Sequence, residues 1–445
     1  MSVQPGLNIL QRALSLLPRV SDGLGGIVSN IGWLFADKFI RIFISLGVSI
    51  WVARYLGPEQ FGYLSYAQNF VVILAAVAGM GVDAIVLREL SKRGAESNLI
   101  LGSALAIKNL CALLIFIGLF VVVSCGWVDK SNSLLILVIS ISLFFQGFSL
   151  VEVYFQSLVK SKYIVFFSLA AVLLSSLLKV ALIVMEAELF WFAVSLLLDG
   201  FLHAIALLCC YRFFLGKDIM VWAFRLREST SLLKDSWSLM VGGLAFVAFY
   251  SLDFLIIEAV FSGRDVGIYA AAFRFFVIWH FVPGVVINSF KPSVVRLMGT
   301  LKYQMQIELV TGLLLWFSIF MFIVVWLGAD FLIEFAYGAD YDQAADILRL
   351  MIFANIFVFF FSCWNSWHII EGRSGYVMVS NLLAVFIKLS LVYLFLEDTG
   401  MQGLVYFGVL GMSLSFIILS FGDKKTLALA VNSFLLPFRY INAKN

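Results

Sequence analysis

Twelve apolar stretches, each about as long as a bilayer-crossing helix, follow one another near residues 31–56, 61–82, 100–124, 133–158, 163–184, 189–214, 235–261, 266–290, 309–328, 347–370, 375–396 and 402–421. A helix needs about 20 apolar residues to cross the hydrocarbon core, and in lipid each backbone N–H and C=O must be satisfied within the protein. The pattern therefore predicts an all-α, polytopic membrane protein. Composition agrees, because 62% of the residues are hydrophobic and 13% charged, against roughly 45–50% and 25% in a soluble domain. Lys38 and Arg41 lie inside the first stretch and no small-residue cleavage site follows it, so this stretch is expected to be a retained helix and not a signal peptide. The mixed segments 1–30 and 422–445 suit helices that lie in the interface.

Charge distribution tests the span count. With twelve spans, twenty of the Lys and Arg residues, from Arg12 and Arg19 through the basic run at 212–234 to Lys444, fall on one side, and four (Arg54, Lys130, Arg264 and Arg349) on the other. One missed span would scramble this sorting. The positive-inside rule then predicts both termini in the cytoplasm. The opposite side collects Glu186, Glu188, Asp330, Glu334, Asp340, Asp342, Glu397 and Asp398. FGYLSYA at 61–67 lines up with VGIYAAA at 266–272, about 205 residues on, each opening an even-numbered span. Two six-helix halves, 31–214 and 235–421, joined by a basic linker at 215–234, are the expected organisation. Six being even, the halves enter the membrane in the same direction, as a parallel repeat about an axis along the membrane normal, an arrangement that places a binding site between them.

The run WVARYLGPEQFGYLSYAQNF (51–70), GMGVDAIVLREL (79–90), SLDFLIIEAVFSGRDVGIYAAAFRF (251–275), VVINSFKPSVVRL (285–297) and FAYGADYDQAADILRLM (335–351) resemble, in order and spacing, the polysaccharide transporter family. That family contains the Wzx-type O-antigen flippases and belongs to the multidrug/oligosaccharidyl-lipid/polysaccharide (MOP) superfamily, with the drug/cation antiporters and the peptidoglycan-precursor flippase. The resemblance implies a flippase of the cell inner membrane for a polyprenyl-pyrophosphate-linked oligosaccharide, working beside other polysaccharide assembly proteins. The peptidoglycan flippase carries two additional helices that are not found in this sequence.

Ionisable residues inside apolar spans cost at least about 2.5–3.5 kcal/mol each on insertion scales, and normally face the bundle interior or a wet cavity. In span one, Asp37 and Arg41 share a helix face and Lys38 lies beside them. Two readings stand there: a local salt bridge, or a cationic wall whose guanidinium meets phosphate in a bidentate fork. Arg274 stands about eight residues into span eight, deep for snorkelling, and is the first candidate for an anion ligand. Lys179 in span five and Lys388 in span eleven read first as paired or snorkelling residues that add positive field. Asp253 and Glu258 in span seven, with Asp199 and His203 one turn apart in span six, form the titratable set, either proton-coupling groups or charge partners of the basic residues.

Other features carry less. Cys111, Cys125, Cys209, Cys210 and Cys363 show no metal-ligand or redox spacing and read as packing residues, and His203, His280 and His368 lie far apart, so neither a metal nor a cofactor is expected. No GxxxxGK[ST] loop is present to serve ATP hydrolysis. Asp340-Tyr341-Asp342 looks like a glycosyltransferase acid pair but falls on the acidic face, away from nucleotide sugars. Trp364, Trp367 and His368 would stack on sugar rings if span ten faces a cavity. A drug/cation antiporter would want an acidic cavity, and the basic residues of spans one and eight argue against it. A membrane polymerase would want a long external loop, and 329–346 is too short. The expectation is thus a transporter and not an enzyme, with no role in nucleic-acid binding.

Overall fold

The computed structural model describes residues 25–420, apart from 93–95, 127–129, 159, 161 and 217–218, together with Asn432. Nearly all of the two expected interfacial segments, and the side chains of Asp37 and Lys38, lie outside the described residues.

Glycine sets the sharpest turns. One helical run, Gly25–Gly79, is divided at Gly57, whose φ of 71° lies in the left-handed region that glycine adopts without steric cost. Pro58 follows, where its missing N–H is no loss at the start of a helix. The parts are α1 (25–56) and α2 (58–79). The run Ser374–Ser420 is divided in the same way at Gly400, into α14 (374–399) and α15 (401–420). Between them lie α3 (Val82–Lys92), α4 (Ser97–Ser124), α5 (Lys130–Ser140), α6 (Leu150–Ser157), α7 (Lys162–Val184), α8 (Leu189–Leu215), α9 (Leu226–Val260), α10 (Gly263–Val277), α11 (Phe281–Arg296), α12 (Leu301–Tyr337) and α13 (Ala344–Ile370). Among the described residues ten runs are long and apolar enough to cross a membrane, and the two glycine breaks make twelve helical spans of them. All twelve coincide with stretches read from the sequence. No strand occurs among the described residues.

Hydrogen bonds sort the turns onto two ends. At one end Arg54 donates to the Phe335 carbonyl (2.9 Å), Tyr55 to that of Ala187 (3.0 Å) and Tyr341 to that of Ala53 (2.8 Å). At the other, the Ala223 N–H donates to the Asn98 carbonyl (3.1 Å) and the Tyr303 hydroxyl meets Glu371 (3.2 Å). Among the described residues, the acids counted in the sequence lie at the first end, and Arg88, Lys92, Arg212, Arg225, Arg296 and Arg373 lie at the second. Large apolar side chains cover the outer flanks, with Phe335 72% and Tyr393 89% exposed. In water such a surface would be costly, whereas against acyl chains it is not.

The interior turns on one crossing. A methyl group added to Gly62 of α2 would stand 1.7 Å from the Gly263 carbonyl oxygen, and one added to Gly267 of α10 would stand 1.8 Å from that of Pro58. Backbones this close leave no room for a side chain. The offset of 205 residues carries 62 onto 267 and 58 onto 263, so the repeat exchanges the two contacts, and its pseudo-two-fold axis passes between α2 and α10. Phe61, Val266, Ile268 and Tyr269 bury around the crossing.

Overpacking a tight contact typically costs about 1–3 kcal/mol. Gly267→Val is therefore expected to lower the thermal unfolding midpoint of the purified protein in detergent, whereas Gly284→Ala, whose added methyl meets nothing within 4 Å, leaves it unchanged.

Candidate substrate cavity

About two turns beyond the crossing, toward the basic end, polar residues of α2 and α10 meet. The Arg274 guanidinium, two turns past Gly267, donates to the Gln68 side-chain oxygen at 2.9 Å. It has no carboxylate within ion-pair distance among the described residues. Arg274 and Gln68 form one wall of a cavity of about 450 Å³, a volume typical of small-molecule sites. The other walls are α1, α7 and α8 of the N-terminal half.

Helical spacing explains why these walls are polar. On α1, Ser45, Val48, Ser49 and Val52 share one face, and Arg41 lies one turn before Ser45 on that face. On α7, Ser175, Ser176 and Lys179 line the cavity, and on α8, Ser195, Asp199 and His203. The Lys179 ammonium lies 2.5 Å from Asp199 Oδ2 and donates to Ser175 Oγ at 3.1 Å, and the Ser175 hydroxyl donates in turn to Asp199 Oδ1. His203 Nε2 lies 3.3 Å from Glu152 Oε1. Most charges of this wall are thus spent on one another, and Arg274 is held by an amide.

The matching position of the C-terminal half is filled. Lys388 of α14 puts its ammonium 2.7 and 2.9 Å from the two Asp253 carboxylate oxygens and 2.6 Å from the Phe249 carbonyl, 4.4 Å above the Phe249 ring. The Tyr269 hydroxyl donates to Asp253 Oδ2 at 2.7 Å. About 30 Å³ of space remains there. Another hollow, of about 570 Å³, opens on the outer flank at the acidic end, where Arg349 is bound to Asp330 and to Asp346 (2.7 Å). Its cation is already neutralised twice.

Arg274, Lys179, Asp199 and His203 therefore come together, with Arg41 on an adjoining turn. Asp253 lies apart with Lys388. Glu258 accepts from Asn132 Nδ2 (3.0 Å) at the acidic end. Trp364, Trp367 and His368 are buried in the core, where Trp367 donates to Thr311 (3.3 Å) and Trp364 packs edge-on to His368 with ring centres 5.0 Å apart. Sequence reading passed over Gln68 and the serines, whose signal is a small polar residue repeated at helical spacing through a lipid-length span. It also passed over Lys108 of α4, buried against Asp83 Oδ1 (2.5 Å) and Ser149 Oγ (3.0 Å).

The fold is that of the MOP-superfamily transporters. It is similar to the lipid II flippase MurJ in an inward closed conformation (TM-score 0.69, 15% identity, covering 92% of each chain). It is also similar to a multidrug resistance MATE family transporter in an inward-facing conformation (TM-score 0.66, 15% identity, 88% of this chain and 95% of that one). A MOP superfamily transporter from Pyrococcus furiosus, described as having a binding pocket of reversed polarity, aligns with TM-score 0.66 at 15% identity over 90% of this chain and 96% of its own. No curated protein sequence matches the chain. Residues 27–296 match the model of the polysaccharide biosynthesis protein family, and the chain belongs to that family.

Removing one partner of a buried ion pair typically costs about 3–5 kcal/mol, because the other charge is left unpaired. Lys388→Ala is expected to lower the thermal midpoint by several degrees, and the double variant Lys388→Met with Asp253→Leu by much less, read on the purified protein in detergent.

Proposed function

We propose that the protein moves a polyprenyl-pyrophosphate-linked oligosaccharide, an O-antigen-type repeat unit, from the cytoplasmic to the periplasmic leaflet of the inner membrane. The observation that carries this reading is Arg274, a half-buried residue of the C-terminal half that closes a cavity of the N-terminal half and that, among the described residues, is held by the Gln68 amide and not by a carboxylate. A guanidinium so placed retains its capacity for a bidentate bond to phosphate. The polyprenyl tail remains in lipid. The halves 31–214 and 235–421 rock about the crossing of α2 with α10, the 215–234 linker joins them on the cytoplasmic side, and both termini are cytoplasmic. Arg41, Lys38 and Lys179 add positive field along the same route, and Asp199, Asp253, Asp37 and Glu258 balance it. Family membership supports a polysaccharide substrate, and the MOP fold supports transport. A drug/cation antiporter, the reading the multidrug neighbours favour, needs an acid open to the cargo, and the cavity's Asp199 is bound to Lys179.

Hydrogen bonds to a charged group are worth about 1.5–3 kcal/mol, which is tenfold or more in binding. In cells lacking the protein, Arg274→Ala at normal expression is expected to restore surface polysaccharide at least about tenfold less well than wild type. Normal polysaccharide with the alanine variant would refute the anion site. Normal export without the protein, together with new sensitivity to cationic drugs, would point to the antiporter.

A further inference from the structure

We infer that the N-terminal half carries a saccharide subsite for an uncharged sugar next to the diphosphate; the inference rests on the flippase reading. Three observations support it. The first is asymmetry across the repeat. Spans one, two, five and six, closed by Arg274 of span eight, surround about 450 Å³, while the corresponding spans seven, eight, eleven and twelve, with Met351, Ala354 and Val358 of span ten packed among them, leave about 30 Å³. Lys179 and Lys388 occupy corresponding spans. Lys388 finds Asp253 on span seven and, with Tyr269, fills the middle of its half. Where the repeat puts Val48 in place of Asp253, Lys179 turns instead to Asp199 on span six, and the space stays open. One half is a plug and the other a receptacle.

The second observation is the chemistry of the receptacle. Ser45 and Ser49 of α1 face Ser175 and Ser176 of α7 around the cavity. Hydroxyls both donate and accept, which suits the hydroxyls of a sugar ring; Ser175 is bonded to Lys179 and Asp199, and Ser45, Ser49 and Ser176 line the same cavity as Arg274. Helices that only pack in lipid have no need of two serines each on facing sides, and a packed core would have closed on them.

Charge balance is the third. Lys179 is bound to Asp199, and His203 lies against Glu152, so the basic groups of the α7 and α8 walls are already paired. Arg274 is committed to the diphosphate. A sugar bearing its own carboxylate would lie against these closed pairs with no basic group of the α7 and α8 walls left to meet it, and burying an unpaired charge is strongly unfavourable. The subsite therefore takes a neutral hexose or N-acetylhexosamine and rejects a uronic acid.

The test measures binding to the full-length protein in nanodiscs, with farnesyl diphosphate bare, carrying one N-acetylhexosamine, or carrying one uronic acid. Wild type is expected to bind the N-acetylhexosamine probe about tenfold more tightly than the bare diphosphate, the scale of one or two net hydrogen bonds, and the uronic acid probe no better than the bare one. Ser49→Val with Ser176→Val should abolish the gain while bare-diphosphate binding persists, which also shows that the variant is folded. Bare-diphosphate binding with no gain from the neutral sugar, an equal gain from the uronic acid, or a gain that survives both valines would each overturn the subsite alone. Failure of wild type to bind the bare diphosphate would overturn the flippase reading and the subsite with it.

Discussion

The crossing of α2 and α10 at glycine is the contact from which the rest of the interior follows. Because Gly62 and Gly267 have no side chains, each helix lies against the other's backbone, at Gly263 and at Pro58. Close backbone approach through small residues is how helices associate in lipid, where apolar side chains gain nothing from leaving the solvent. The crossing fixes the pseudo-two-fold axis, and it sets the register in which Arg274 reaches Gln68 two turns deeper. A side chain at either glycine would spread the helices and separate that pair.

A second constraint acts on every ion in the bundle. Hydrocarbon tolerates charge only where a partner or water is at hand, and among the described residues the lysines inside the spans are paired, Lys108 with Asp83, Lys179 with Asp199, and Lys388 with Asp253. Against that background Arg274 is distinctive because its described partner is an amide. The pairs stiffen the two halves, and Arg274 stands at the boundary between them. This division, paired charge within each half and an amide-held guanidinium between them, is what the proposed carriage of an anionic lipid would require.

Much of the architecture was legible in the sequence because the bilayer imposes it locally. Span lengths, the sorting of Lys and Arg, and the repeat of FGYLSYA with VGIYAAA need no tertiary knowledge, and the helices found in the structure coincide with the stretches read from these cues. The site was legible only in part. Arg274, Lys179, Asp199 and His203 were visible as ions in apolar spans, but nothing local shows that Lys179 and Asp199, twenty residues apart, bind one another, or that Lys388 reaches back 135 residues to Asp253. The serines were hidden for a different reason. A serine in a membrane helix commonly bonds to its own backbone, as Ser390 does to the Phe386 carbonyl, so only the packing of α1 against α7 and α8 distinguishes Ser49 and Ser176 as cavity walls.

The most direct test of the account is translocation in proteoliposomes containing only the purified protein and a polyprenyl-pyrophosphate-linked oligosaccharide, with the outer-leaflet sugar read by an enzyme that cannot cross the bilayer. The account predicts that wild-type protein brings inner-leaflet substrate within the enzyme's reach well above the rate of protein-free vesicles. Translocation no faster than in protein-free vesicles, in a preparation that exchanges a cationic dye for protons, would contradict it.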